Sequence, residues 1–288
     1  MLSIKKIVDK IDELFDGQAR LIRDLISPAI GIRMQNQSTR EAWPKFVDDA
    51  FIQSKIGGMP DIGEDFIWPE INNLPLTFLG QINLTKASAF NPDLQLTGIL
   101  YFFVANSRSE DYSQLINNIK IIHSENVNPK NLLGYKASEQ DSGYPVEFYQ
   151  HYTFPSYQEK IIRNNSFYST VLDELDELEC YISKLTYGKE DYTRHHMLGD
   201  PNAVQGSVRM FWGAAVVKPE DIYYEKINEY MDSAEQIGDE FIQLLQIDLC
   251  DKRISLPNYG DNCLYFGIHK DDLKCKNFNK TKLVIQST

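Results

Sequence analysis

What this chain lacks narrows its chemistry before anything present is weighed. Basic residues are in deficit: 29 Lys and Arg stand against 41 Asp and Glu in 288 residues, for a formal charge of −12. A field of that sign repels polyanions, so nucleic acid and anionic membrane surfaces are poor partners, and no Lys/Arg run interleaved with aromatics offsets it. The better-suited partner is another protein with a basic surface. No apolar run reaches the roughly 18 residues of a membrane span, and Lys5, Lys6, Asp9, Lys10, Asp12 and Glu13 interrupt any signal-peptide core. The four cysteines, Cys180, Cys250, Cys263 and Cys275, form no C-x-x-C pair and have no histidine at zinc-finger spacing, so they read as reduced thiols. Cytoplasmic residence is the default that follows. Also missing are a Gly-rich phosphate loop, a nucleophile elbow and a metalloprotease helix, so no cofactor and no metal is expected and the enzyme reading loses its usual signatures.

What is there is core material and a repeat. Hydrophobic residues make up 42% and aromatics 12%, which describes a folded chain. Leu79-Gly80-Gln81-Ile82-Asn83-Leu84 laid over Leu244-Leu245-Gln246-Ile247-Asp248-Leu249 matches Leu, Gln, Ile and Leu, and Leu100-Tyr101-Phe102 matches Leu264-Tyr265-Phe266. The step from Gln81 to Leu100 is 19 residues and from Gln246 to Leu264 is 18, so the matches agree to within one residue. Gly57-Gly58-Met59-Pro60 and Leu198-Gly199-Asp200-Pro201 form a weaker echo ahead of them. The expected architecture is α+β: two strand-loop-strand units, about 54–104 and about 195–268, related by internal duplication. They form mixed or antiparallel sheets with peripheral amphipathic helices in a single domain over 1–288. Strand alternation puts Gly80, Ile82 and Leu84 on one face with Leu79, Gln81 and Asn83 on the other. In the second copy it puts Leu245, Ile247 and Leu249 on the core, with Leu244, Gln246 and Asp248 opposite.

Apolar spacing predicts an amphipathic helix over about 2–26, broken near Gly17, then a strand over Ala29–Gln35. Gly57-Gly58 before Pro60 predicts a turn with unusual backbone angles. Strands are expected at Ile119–His123, Val146–Phe154, Phe241–Leu249, Leu264–His269 and Leu283–Gln286, and helices over 169–185 and, from Pro219, over 219–236.

The ordered words S-K-I-G-G-M-P (54–60), W-P (68–69), P-L-T-F-L-G-Q-I-N-L (75–84), G-I-L-Y-F-F (98–103), H-M-L-G-D-P (196–201), V-Q-G (204–206), L-L-Q-I-D (244–248) and Y-G-D-N-C-L-Y-F (259–266) resemble the bacterial YwqG-like family, a domain of unknown function, from about residue 29 onward. The chain departs from the family at Tyr259, where Trp is common, and at Asn262-Cys263, where small residues are usual. The resemblance brings no activity with it. It implies a gene context beside secreted toxins and hence a role in immunity.

Three sets of candidate residues emerge. Asp173, Glu174, Asp176, Glu177 and Glu179 form the densest charge cluster, on one side of the 169–185 helix, and suit a basic partner. Gln81 and Gln246, at the same strand position in both copies, are structural amides or parts of a shared polar site. The best catalytic grouping is Asp248, Asp251 and Asp261 with His196 or His269, which could hold a divalent ion or share acid and base work as a hydrolase. His195-His196 reads as a loop ahead of the Gly199-Asp200-Pro201 turn, and His123 and His151 as structural strand histidines. The favoured reading is a non-catalytic protein-binding module.

Overall fold

Charges between Ile4, Ile7 and Ile11 make the N-terminal apolar stripe one-sided, and it winds as α1 (Ile4–Leu14), which buries Ile7 and Ile11. Gly17, at φ +72°, breaks the helix before α2 (Ala19–Arg23). The computed structural model describes residues 4–36, 53–62, 66–91, 94–105, 116–125, 143–165, 167–187, 194–219, 227–256 and 259–287. Strand β1 (Ser27–Met34) begins two residues earlier than the apolar run indicates. There follow β2 (Lys55–Gly57), a small hairpin of β3 (Glu70–Ile71) and β4 (Leu74–Pro75), β5 (Thr77–Asn83), the short α3 (Leu84–Ala87), β6 (Ile99–Val104), β7 (Ile119–Ser124) and β8 (Gly143–Thr153). The second half adds α4 (Lys160–Arg163), α5 (Leu172–Tyr187), β9 (His196–Leu198), α6 (Val208–Val217), α7 (Met231–Gly238), β10 (Phe241–Asp248), β11 (Asn262–His269), α8 (Lys270–Lys274) and β12 (Lys282–Ser287).

All strand pairings among the described residues are antiparallel, and apart from the β3–β4 hairpin they make one ten-stranded sheet in the order β12-β11-β10-β9-β1-β8-β2-β5-β6-β7. The sheet is nearly closed. Phe102 on β6 meets Phe266 on β11 edge to face at 5.3 Å, although the two strands lie near opposite ends of the order. Residues 2.0 apart in period separate the faces: Leu100, Phe102, Leu264 and Phe266 enter the inner core, while Tyr101, Phe103, Cys263 and Tyr265 face outward. Outside, Phe66 and Trp68 cover one half and Trp212 of α6 covers the other. A separate cluster joins Ile7, Ile11 and Ile22 to Leu175, Leu178 and Ile182 of α5.

Several elements differ from the sequence reading. Leu84 leaves the strand because the Asn83 carbonyl side chain caps α3 through the Lys86 N–H. Strict alternation fails at Leu79 and at Leu244, since a register shift falls on each: between Phe78 and Gly80 opposite β6, and between Gln243 and Leu245 opposite β11. The extra residue turns Leu79 and Leu244 into the same inner core as Ile82 and Ile247. The expected helix over 219–236 is described only from Met231, and residues 220–226 lie outside the described set. Helix α6 went unread because its sequence, V-R-M-F-W-G-A-A-V-V, is apolar nearly all round and shows no stripe.

Trp212 seats α6 on the sheet, donating from Nε1 to the Tyr265 carbonyl at 3.1 Å. Its indole lies over Gly267, where an added Cβ would stand 2.3 Å from the ring. Gly267→Ala is therefore expected to destabilise the fold by about 1–3 kcal/mol through overpacking, read as a lower urea midpoint with an unchanged m-value. A midpoint equal to wild type would show that the contact is slack.

Candidate functional site

Of the positions singled out in sequence, His195, His196, Gln246, Asp248 and Asp251 lie on β9 and β10 or beside them. His196 opens strand β9 and does not lie in a loop, with His195 just ahead of it: the His195 carbonyl accepts the Ile32 N–H at 2.9 Å, and His196 sits opposite both Gly31 and Gln246. Neighbouring strand residues face opposite ways, so the two histidines enter different environments.

On one side, His195 Nδ1 accepts the Asp248 N–H at 3.1 Å, which leaves the ring proton on Nε2 to be donated to Asp251 Oδ2 at 3.2 Å. Arg253 grips the same carboxylate from Nε at 2.8 Å and Nη2 at 2.5 Å, and from Nη1 donates to the Met34 carbonyl at 2.8 Å. Burial would raise the Asp251 carboxyl, but the hydrogen bonds from His195 and Arg253 outweigh it and hold the group well below the usual carboxylate range. With Nδ1 committed to backbone, this His–Asp pair ties β1 to the β10–β11 end and leaves the imidazole no free base.

On the other side, His196 is fully buried, its Nε2 lying 3.2 Å from the Asp200 carbonyl and 2.6 Å from Gln243 Nε2. Its ring stands edge-on to His151 at 5.6 Å. Asp200 pairs with Arg209 at 2.8 Å. Burial pushes the His196 imidazole down to about 4, with the backbone bond to Asp200 working against the shift, and burial holds His151 well below its ordinary value. His196 Nδ1, Asp200 Oδ2 and Gln243 Oε1 have no hydrogen-bond partner among the described residues.

The catalytic grouping read from sequence is not assembled. Asp248 is buried and accepts the Cys250 N–H at 2.9 Å and the Arg194 N–H at 3.3 Å, shaping the turn after β10. Asp261 lies on the surface, paired with Lys252 at 2.9 Å. His269 caps α8, accepting the Asp271 N–H at 3.2 Å. Among the described residues no three His, Cys, Asp or Glu side chains are placed to hold a metal ion. None of the four cysteines is in a disulfide.

Gln81 and Gln246 are fully buried, each in a clamp on the loop beyond a strand. Gln81 donates to the Gln53 carbonyl at 2.7 Å and accepts the Asp61 N–H at 2.8 Å, while Tyr101 donates to the Asp61 carbonyl at 2.8 Å. Gln246 donates to the Arg194 carbonyl at 3.1 Å and accepts the Asn202 N–H at 3.0 Å, while Tyr265 donates to the Asn202 carbonyl at 2.7 Å. Both amides thus satisfy backbone groups that would otherwise be orphaned.

The acidic residues of α5 divide. Asp173, Asp176 and Glu177 are exposed and Glu174 is half-buried, and Glu177 is engaged by Lys10 of α1 at 2.7 Å. Glu179 turns inward, into a cleft lined by His151, Thr153, Ser183, Arg194 and Asn202. Burial raises its carboxyl, Arg194 pulls it back down, and Asp176 pushes it up. Sequence reasoning missed Arg194 and Asn202, although Asn202 directly follows Leu198-Gly199-Asp200-Pro201 as Asp61 follows Gly57-Gly58-Met59-Pro60 in the echo between them.

A family model described as a domain of unknown function, DUF1963, matches residues 54–286. The chain belongs to that family. No curated protein matches it. The DUF1963 match takes in both clamps, both histidines and the cleft, and leaves α1, α2 and β1 outside it. No helix among the described residues of this DUF1963 chain is long and apolar enough to cross a membrane.

A buried imidazole whose proton affinity falls on folding favours the unfolded chain in acid. Its contribution is complete above the ordinary value of 6.5 and is lost as pH falls toward about 4, below which no further loss occurs. His196 alone is expected to cost on the order of 3 kcal/mol across that window. His196→Gln should flatten the fall in melting temperature between those limits. An equally steep profile in the variant would assign the acid sensitivity elsewhere.

Proposed function

We propose that this protein is a YwqG-like bacterial binding module, cytoplasmic and without a catalytic step of its own, whose ligand is a protein with a basic surface. The carrying observation is the exposed face of α5: Asp173 and Asp176 pair with no cation among the described residues, in a chain of net charge −12. Unpaired like charges on one helix cost a few tenths of a kcal/mol per pair at i,i+3 or i,i+4 spacing, a cost that a basic partner would turn into attraction. The immunity role that the YwqG-like resemblance implies makes a secreted toxin the partner class. His195, Asp248 and Asp251, which such an enzyme would need, are spent on backbone and on each other.

The same reading takes the chain as two copies of one unit. It is supported by matched registers: Lys55 opposite Gln81 and His196 opposite Gln246, Gln81 opposite Tyr101 and Gln246 opposite Tyr265. The left-handed pairs Gly57-Gly58 (φ +73° and +72°) and Leu198-Gly199 (φ +60° and +67°) fall at the same place in each copy. A binding scaffold of this kind gains rigidity from both clamps and leaves its helices free to carry contacts.

The test is kinetic. Asp173→Asn, Asp176→Asn and Glu177→Gln together are expected to leave the melting temperature within a few degrees and to slow association with a basic protein captured on the wild-type chain from a lysate of its native host by about tenfold at low salt. The salt dependence of the rate should flatten with it. An unchanged rate and an unchanged salt slope would remove this face as the docking surface.

A further inference from the structure

The last strand carries a cation for which the fold supplies no anion. In β12, Leu283 and Ile285 enter the inner core while Val284 faces outward with Trp212, so alternation puts Lys282 on the outer face too, opposite Gly267 and beside α6. The only charged residue of α6, Arg209, is spent on Asp200. Lys280, two residues earlier and exposed, brings a second positive charge near enough to be felt at Lys282. The acids of the neighbouring segments are already engaged: Glu240 by Lys270, Glu125 by Lys276, Asp271 by Lys274 and Asp272 by Asn277. Neither Lys280 nor Lys282 has an ion pair or a side-chain hydrogen bond among the described residues. Other lysines of this chain are paired with carboxylates, as Lys10, Lys252 and Lys270 are.

That difference in surroundings sets the chemistry of the amine. An ammonium that is half-buried and near another cation gives up its proton more readily. Burial, and then the Lys280 charge, lower Lys282 from its ordinary value, whereas hydrogen bonds to carboxylates raise Lys10, Lys252 and Lys270. A half-buried lysine is still reached by solvent, so a small reagent can meet it. We propose that Lys282 is an acylation site whose donor is an acyl phosphate, with the exposed Lys280 cation attracting the phosphate while the Lys282 amine attacks. After the ammonium proton passes to water, the Nζ lone pair forms a bond to the acyl carbon and the carbon–oxygen bond to phosphate breaks. Inorganic phosphate leaves with that electron pair, and the second amine proton is lost to water. The product amide is neutral, which ends both the burial of a charge and the repulsion from Lys280. An uncharged acyl donor would react at the same amine but gain nothing from Lys280. Neither lysine belongs to the docking face of α5.

The experiment treats the full chain with acetyl phosphate at neutral pH and reads the initial rate at each lysine by mass spectrometry of its peptides. Lys282 is expected to be acetylated at least about fivefold faster than the exposed Lys6 and Lys184, and its rate to level off at a lower pH than theirs. Lys280→Gln should slow the reaction of Lys282 with acetyl phosphate about threefold more than its reaction with p-nitrophenyl acetate, an uncharged donor. A wild-type rate at Lys282 no greater than at Lys6 and Lys184 overturns the proposal, and this comparison needs no variant. So does a Lys282 rate that levels off at the same pH as theirs, or a Lys280→Gln chain in which both donors slow equally.

Discussion

Everything in this structure hangs on the antiparallel contact between β1 and β8, from Ser27 opposite Thr153 to Met34 opposite Val146. It stands at the middle of the ten-stranded sheet, and the two strands are exchanged. β1 comes from the first part of the chain but has β9 as its other neighbour, whereas β8 comes from the second part and has β2. Each five-strand half of the sheet therefore contains one strand from the other part of the sequence. An antiparallel ladder spends its backbone hydrogen bonds between partners, so neither half can satisfy its inner edge alone.

From that seam the polar chemistry follows. β9 is only three residues long, and its short reach past β1 exposes the backbone of the loops at both its ends, which Gln246, Tyr265 and Asp248 then bind. Groups that look catalytic in a list are thereby spent on holding loops. What is left unspent around the seam is buried, at His196 Nδ1, Asp200 Oδ2 and Gln243 Oε1, and the carboxylates left unspent on the outer face of α5 lie at the surface. The docking function is read on α5 because those carboxylates are open to solvent.

The sequence made some of this legible and hid the rest for physical reasons. Alternation found β7, β8, β10, β11 and β12, and the Gly57-Gly58 pair announced its left-handed turn. The helix α5 was visible from its stripe of Leu175, Leu178 and Ile182. Hidden were the bulges at Leu79 and Leu244, which carry no signal in residue type, and α6, whose apolar surface is buried on more than one side. The acidic residues of α5 read as one face, but the helix is packed by α1 and β8, so Glu177 meets Lys10 and Glu179 turns inward. Arg194 carries no signal of its own, a lone cation between α5 and β9 that belongs to no periodic pattern.

The strand exchange is the claim on which the account stands, and cutting the chain between Ser124 and Gly143 tests it directly. Fragments 1–130 and 131–288, each prepared alone, are predicted to give no cooperative thermal transition, and their mixture to recover one together with the near-ultraviolet signal of buried Trp212. A cooperative transition from either fragment by itself would contradict it.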